Sequence, residues 1–299
     1  MIPATEADRA AITAFLTAYI ETSMFTLANL QNHGMAGGHP RALRLWLRRD
    51  GGRITDVMAV TEEGMAMPQL SGGAIAAAAQ VLAGTRLIGI LGAAAQVAPL
   101  RAALGLAEAP ASLSRDEPLF TLPLDALRMP DASGARLIPL GDAPRDLVTG
   151  WRAAYGTEVL GQDAAGAAAQ ATRDIDGYVA ADSHRVLLRD GVPVAMTGFN
   201  ARLPDTVQIG GVYTPPALRG QGLARLALAL HLAEARAEGV ARAVLFAASD
   251  MAVRAYVALG FERQGTFNLT LFTPPATVTH TATHTASVAV SNALTKKGP

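Results

Sequence analysis

The chemistry of this chain centres on one run that combines a strand, a glycine-rich loop and the start of a helix. The first part, 207–213, is β-branched and apolar but is interrupted by Gly210 and Gly211. Glycines inside a strand indicate a bulge or a close backbone approach. A loop with little side chain, 219–222, then leads into a long apolar helix from about 223 to 238. Small residues let a ligand reach the backbone, and the free N–H groups and dipole of a first helical turn favour a phosphate.

The residue types in this loop exclude two common nucleotide sites. A P-loop requires Lys followed by Ser or Thr after its glycines, and the run holds no Lys. A dinucleotide fingerprint requires a third glycine where Arg225 stands. The pattern Arg/Gln-x-x-Gly-x-Gly/Ala is filled by residues 219–224, Arg-Gly-Gln-Gly-Leu-Ala. After a strand that ends Gly-Val-Tyr-Thr-Pro-Pro, it resembles the acyl-CoA pyrophosphate loop of the GNAT family of N-acyltransferases.

A second signature lies downstream, in residues 249–261. It is similar to the GNAT pattern Asn-x-x-Ala-x-x-x-Tyr-x-x-x-Gly-Phe, with Ser249 in place of the usual Asn. The remaining positions are filled by Ala252, Tyr256, Gly260 and Phe261. One predicted helix and one predicted strand separate the two signatures, in the order that the family has. The resemblance covers about residues 135–272.

The resemblance implies roles for particular residues. Tyr256 is the candidate acid that protonates the departing CoA thiolate; the alternative is a tyrosine that only packs in its helix. Glu158, on the same predicted helix as Trp151 and Tyr155, is the best candidate for the base, and a water relay is equally open. Arg219 either contacts phosphate or caps the loop. The predicted acetyl-CoA-binding residues are Val212, Tyr213, Thr214, Arg219, Gly220, Gln221, Gly222, Leu223, Ala224 and Ser249.

Two strands must position these residues. We expect strands 207–213 and 241–247 to be parallel neighbours joined by the helix between them. A bulge at Gly210 and Gly211 would splay them apart. The pantetheine arm of an acyl-CoA can then lie between them and bond to the backbone near 212–214, as an added strand does.

Composition bounds the remaining possibilities. The chain has 299 residues, 50% of them hydrophobic, which is enough for two domains. Lys and Arg balance Asp and Glu at 25 each, so we expect no nucleic-acid partner. The absence of cysteine removes disulfides and thiolate sites, and we expect no metal. No signal peptide is evident, and Arg86 interrupts the most apolar window, 74–95. We therefore expect a cytoplasmic protein without a membrane partner.

The order of predicted elements repeats along the chain, which suggests an internal duplication. We expect an α/β (α+β) protein with two GNAT-like domains, each a mixed, mostly antiparallel sheet flanked by helices, with splayed strands in the second. The boundaries are 1–133 for a degenerate first domain, 134–273 for a catalytic domain and 274–299 for a disordered tail. The linker is 130–134. Residues 21–30 look like the opening of tandem GNAT-like bacterial proteins.

Two further interpretations concern residues 91–96 and the histidines of the predicted tail. Residues 91–96 are taken as the first half's equivalent of the glycine loop. They lack its Arg and second glycine, which predicts lost CoA binding. His280 and His284 have a spacing that helix-borne metal ligands can show, but the tail carries no helix signal and a metal site is rejected.

The sequence thus predicts an acetyl-CoA-dependent N-acetyltransferase that acts on a primary amine of a small molecule or peptide. The alternative is a non-catalytic acyl-CoA-binding sensor module. A transferase that uses aminoacyl-tRNA is disfavoured by the neutral charge. A homodimer is left open.

Overall fold

The fold is seen in a computed structural model that describes residues 1–279. Within that range the chain forms eight α-helices and twelve strands. The helices are α1 (Arg9–Thr17), α2 (Ile20–His33), α3 (Ile75–Val81), α4 (Ala94–Ala103), α5 (Arg145–Glu158), α6 (Ala164–Ala180), α7 (Leu223–Ala237) and α8 (Asp250–Ala258). The strands are β1 (Ile2–Pro3), β2 (Leu43–Asp50), β3 (Arg53–Thr61), β4 (Met65–Gln69), β5 (Arg86–Ala93), β6 (Ala111–Pro123), β7 (Ala135–Pro139), β8 (His184–Arg189), β9 (Val192–Arg202), β10 (Thr206–Tyr213), β11 (Arg242–Phe246) and β12 (Glu262–Thr277).

All twelve strands of the described chain join one sheet, in the order β1-β2-β3-β4-β5-β12-β6-β11-β10-β9-β8-β7. Among these pairs only β4·β5 and β10·β11 are parallel. The α/β class and the mixed, mostly antiparallel sheet flanked by helices are therefore confirmed. The two predicted sheets are joined edge to edge, which the sequence did not predict.

The two halves exchange strands at this junction. Strand β6 of the first half lies between β12 and β11 of the second, and β12 lies between β5 and β6 of the first. The predicted linker 130–134 lies between β6 and β7, and the hydrogen-bonded sheet runs through both halves. Each half is thus completed by a strand of the other.

Helices cover both faces of the sheet. Along β6, Leu119 packs in the cluster that holds α2, whereas Phe120 packs in the cluster that holds α7. Successive side chains of a strand point to opposite faces, so α2 and α7 lie on opposite sides of the sheet. Full burial of one such apolar side chain contributes about 1.5–3 kcal/mol.

Strand β6 and helix α6 are both long, since β6 begins at Ala111 and α6 extends to Ala180. Strand β12 continues to Thr277, through the first residues of the segment predicted as a tail. His280 and His284 lie outside the described residues. No helix within residues 1–279 is both long and apolar enough to cross a membrane.

The interpretation of residues 91–96 was wrong. The helix that joins parallel strands is α3 in the first half and α7 in the second. The counterpart of the glycine loop is therefore the segment after β4, where Ser71 donates its N–H and hydroxyl to Asp56 Oδ1 at 2.6 and 2.7 Å. A buried carboxylate thus occupies the place where an anion would bind, which agrees with a first half that does not hold a phosphate.

Candidate functional site

The two parallel strands of the second half separate toward their carboxyl ends, as predicted. β10 and β11 pair only from Thr206 to Gln208 with 242–244. On its other side, β10 shifts register against β9 between Gly210 and Tyr213, which marks the predicted bulge. Beyond Gln208 the edge of β10 that faces β11 therefore has no strand partner in the described structure. An extended ligand can bond to this edge.

Glycine is required in the bulge because neighbouring side chains fill the space around it. A Cβ at Gly210 would lie 1.8 Å from Asn200 Nδ2, and one at Gly211 would lie 2.7 Å from His184 Nε2. Gly211 also has a φ of +63°, a left-handed conformation that favours glycine. The bulge therefore depends on the packing of side chains from β8 and β9.

The sequence assigned no role to His184, but the structure places it against the bulge. Its ring is fully buried, stacks on Tyr178 with centroids 3.6 Å apart, and pairs Nδ1 with Ser183 Oγ at 2.8 Å. Burial, and then the nearby charges of Arg152 and Arg185, lower the pKa of His184 to about 3. It is therefore neutral at physiological pH.

The glycine loop ends at the start of α7. Gly222 is the residue before the helix, has a φ of +75°, and no side chain caps the first turn. Its N–H groups are thus available to an anion. Buried leucines, among them Leu226, Leu228 and Leu232, hold α7 against the sheet. The loop is therefore anchored on a rigid element.

A cavity of about 890 Å³ lies between the loop, the bulged strand and α8. All twelve residues predicted for the site line it, namely Glu158, Val212, Tyr213, Thr214, Arg219, Gly220, Gln221, Gly222, Leu223, Ala224, Ser249 and Tyr256. The cavity also has three arginines that the sequence did not single out, Arg115, Arg225 and Arg254. Arg219 pairs with Glu158 and Arg115 pairs with Glu117, so the unbalanced positive charge of the lining comes from Arg225 and Arg254, which suits a polyanionic ligand.

Glu158 is tied to the loop rather than isolated in a cleft. Its carboxylate forms an ion pair with Arg219 and accepts a hydrogen bond from the Tyr213 hydroxyl at 3.2 Å. Arg219 Nε also donates to the carbonyl of Thr214 at 3.0 Å. Burial, followed by the Glu158 charge, raises the pKa of Tyr213. Arg219 therefore connects the end of α5, the end of β10 and the loop.

Two predicted residues come from the region of α8. Ser249 accepts a hydrogen bond from the Ala252 N–H at 3.3 Å and so caps α8 while it lines the cavity. Tyr256 packs near Phe261, with ring centroids 5.9 Å apart. Burial, then Tyr155 and Glu117, raise the pKa of Tyr256 well above its usual range. Its hydroxyl keeps its proton and can act as a donor.

Arg115 reaches the cavity from β6, a strand of the first half. It forms an ion pair with Glu117, two residues further along the same strand. No local motif marks these two residues, because β6 reaches the site through pairing with β11 and β12, more than 100 residues away in the chain. The sequence signal that could have indicated these two residues is the hydrophilic run Arg-Asp-Glu, which lies just before the apolar residues that begin at 119.

A parallel pair that splays over a bulge, followed by a helix with an open N-terminus, is the arrangement expected of a GNAT acyltransferase. Residues 152–261 match the model of the Acetyltransferase (GNAT) family. This part of the chain is a GNAT acetyltransferase domain. No curated protein matches the sequence significantly.

Solved structures share the fold over most of the chain. A tandem GNAT protein from the clavulanic acid biosynthesis pathway covers 93% of this chain and 98% of its own, with a TM-score of 0.55 and 16% identity. A Drosophila protein covers 90% and 97%, with a TM-score of 0.58 and 14% identity. A GCN5-related N-acetyltransferase from Sphaerobacter thermophilus covers 93% and 95%, with a TM-score of 0.50 and 15% identity. At these sequence identities the likeness shows a shared fold, and the first of these proteins is itself a tandem GNAT protein.

Proposed function

We propose that this protein is an acetyl-CoA-dependent N-acetyltransferase that acts on a primary amine. The observation that carries the proposal is the single cavity in which the open start of α7, the unpaired edge of β10 and Tyr256 meet. The open start of α7 matches the phosphates of an acyl-CoA, the unpaired edge of β10 matches its pantetheine arm, and Tyr256 matches its thioester.

The binding roles follow from the geometry. The N–H groups after Gly222 and the dipole of α7 hold the pyrophosphate. The exposed edge of β10 at 212–214 bonds to the amides of the pantetheine arm as a neighbouring strand would. Buried leucines keep α7 in place, so the phosphate site is formed before the ligand arrives.

Acyl transfer to the amine needs a group that takes the proton of the amine and a group that protonates the sulfur. The neutral amine attacks the thioester carbonyl carbon, the carbon–sulfur bond breaks, and the sulfur leaves as a thiolate. Backbone N–H groups at the bulge polarise the carbonyl oxygen. Tyr256 gives its proton to the thiolate, and Glu158 takes the proton of the amine, directly or through a water molecule.

Acetyl-CoA binding measured by titration calorimetry tests the site. We expect Gly222→Asp to raise the Kd about 10²-fold, because its carboxylate would face the pyrophosphate and like charges in contact cost several kcal/mol. Gly239→Asp is the matched control. Gly239 also has a positive φ, at +95°, with no neighbouring atom near its Cβ position, but it lies past the other end of α7. Equal affinities of both variants and the unchanged chain would exclude this loop as the phosphate site.

A non-catalytic acyl-CoA-binding module is the second candidate, and one observation favours it. The candidate base Glu158 is already engaged by Arg219 and Tyr213. Release of CoA thiol from acetyl-CoA, followed with a panel of amines, separates the two functions. Turnover with any amine supports the enzyme, whereas tight binding without release supports the module.

A further inference from the structure

The first half of the chain supplies part of the wall of the cavity. Leu119 of β6 pairs with Phe246, the last residue of β11, and the carbonyl of Pro118 accepts the N–H of Ala247 at 3.0 Å. Residues 115–117 continue beyond this point and pair only with β12. The edge of β6 that faced β11 is thus open at the level of the cavity, at the carboxyl ends of the splayed strands.

Arg115 is held in place by a buried carboxylate. Glu117 is 5% exposed and accepts Arg115 Nε at 2.8 Å, with a second bond from Nη2. A buried carboxylate is costly unless it is paired, so this contact fixes the arginine. The Arg115 side chain is still 34% exposed and lines the cavity. None of the hydrogen bonds among residues 1–279 uses its Nη1 atom.

Arg115 approaches the cavity from the face opposite the phosphate loop. It shares a face of β6 with Glu117 and Leu119, since side chains two apart in a strand point the same way. Leu119 packs in the cluster of α2, whereas α7, which carries the loop at its start, packs on the other face. Arg115 is therefore placed for the second substrate rather than for the phosphates of the first.

The α5–α6 connection closes over the same strand. Arg115 Nη2 lies 3.4 Å from the carbonyl oxygen of Val159, and a Cβ at Gly161 would lie 2.9 Å from the carbonyl oxygen of Ser112. This connection and β6 thus form one wall. The unused Nη1 group of a guanidinium in such a wall can donate a charge-assisted hydrogen bond to a carboxylate.

We propose that Arg115 binds a carboxylate of the acceptor, so that the acceptor is an amino acid or another amine that carries a carboxylate. Glu117 acts as the positioning residue for this arginine. The inference rests on the proposed acetyl transfer and adds the substrate class. It also gives the first half a direct part in specificity.

The test compares amino acids with their decarboxylated amines at saturating acetyl-CoA, with CoA thiol release as the readout. The panel pairs lysine with cadaverine, ornithine with putrescine and phenylalanine with phenethylamine, and includes the other standard amino acids. We expect a kcat/KM at least 10-fold higher for the amino acid of a reactive pair. Arg115→Gln should raise the KM of that amino acid about 10- to 100-fold, the loss typical of a charged hydrogen-bonded pair. The KM of the amine and the Kd of acetyl-CoA should stay unchanged.

Two further variants exclude a structural explanation. Arg115→Lys should restore part of the affinity for the amino acid, and Glu117→Gln should raise the same KM while the Kd of acetyl-CoA stays unchanged. Arg44→Gln, an exposed strand arginine of the first half, serves as the control and should behave like the unchanged chain.

Several results would overturn the inference. One is a weaker acetyl-CoA affinity in Arg115→Gln with unchanged acceptor constants, which would assign the arginine to the cofactor. Another is the absence of turnover with every amino acid while acetyl-CoA still binds. Failure of the unchanged chain to bind acetyl-CoA would overturn the proposed function and this inference together.

Discussion

At the scale of single residues, the site combines a proton donor and a carboxylate in different surroundings. Tyr256 is partly buried, and desolvation, followed by Tyr155 and Glu117, raises its pKa and keeps its hydroxyl protonated. Glu158 is partly exposed and lies in an ion pair with Arg219. Acyl transfer to an amine requires one group that gives a proton and another that accepts one. Tyr256 and Glu158 line the same cavity and can divide these two roles.

The pH dependence of kcat tests this division. We expect Tyr256→Phe to lower kcat about 10²-fold by a constant factor between pH 6 and 9, because the raised pKa of Tyr256 keeps it protonated throughout. Glu158→Gln should also lower kcat, because an amide cannot take the proton of the amine. Tyr19→Phe, at an exposed position of the first half, is the control. Unchanged rates in both active-site variants would remove them from the mechanism.

The residues that the sequence revealed are those that lie close together along the chain. Residues 212–224 and 249–256 form two short motifs, and every member that we named lines the cavity. Arg115 and Glu117 were missed because their position depends on strand pairing across more than 100 residues. His184 was missed because its relation to Gly211 exists only after β8, β9 and β10 align.

At the scale of elements, the bulge of β10 and the histidine behind it form one unit. His184 fills the space that side chains at Gly198 and Gly211 would occupy. A second buried histidine, His231 of α7, stacks on Phe199 with ring centroids 3.9 Å apart, and its pKa is also lowered by burial. Both histidines are neutral in the folded chain.

Stability should therefore fall in weak acid. The unfolded chain protonates these histidines near pH 6.5, whereas the pKa of folded His184 is about 3. Below pH 6.5 the unfolded state binds more protons, so the free energy of unfolding decreases as pH falls and is unaffected by these groups above it. Between pH 7.5 and 5.0 we expect His184 to remove about 2 kcal/mol of stability, and the lowered pKa of His231 to act in the same direction.

Urea unfolding at these two pH values gives the measurement. His184→Gln should reduce the difference in unfolding free energy by about 2 kcal/mol. A His184→Gln variant with the full pH dependence of the unchanged chain would show that His184 is not buried as described.

The elements themselves were predicted best where the apolar pattern was regular. Strand β10, strand β11 and helix α7 fall within a few residues of their expected bounds. The start of strand β6 is not marked in the sequence, because Ser114, Arg115 and Asp116 interrupt the apolar pattern. These residues are held in the strand by β12 on one side, and such pairing with a distant strand leaves no local trace.

At the scale of the whole molecule, the two halves were predicted as successive domains, but they share their central strands. β6 contributes Leu119, Phe120 and Leu122 to cores that the second half also builds. At about 1.5–3 kcal/mol each, these three side chains alone approach the net stability of a typical domain, about 5–15 kcal/mol. The second half is therefore incomplete without the first.

Separation of the chain at its linker tests this dependence. We expect residues 134–299 alone to show no acetyl-CoA binding in calorimetry, because β11 and β12 would lose the strand between them. The same fragment produced together with residues 1–133 should assemble with it and recover binding. An isolated second fragment that is monomeric and binds acetyl-CoA as the full chain does would contradict the exchange of strands.

The position of β12 also has a consequence during synthesis. β5 of the first half pairs with β12, which ends only at Thr277. Folding on the ribosome normally proceeds from the N-terminus, one domain at a time. Here the first half carries an open sheet edge until β12 has been made, and an open edge invites pairing with other chains. The synthesis of β12, rather than completion of the first half, is the event that protects this edge.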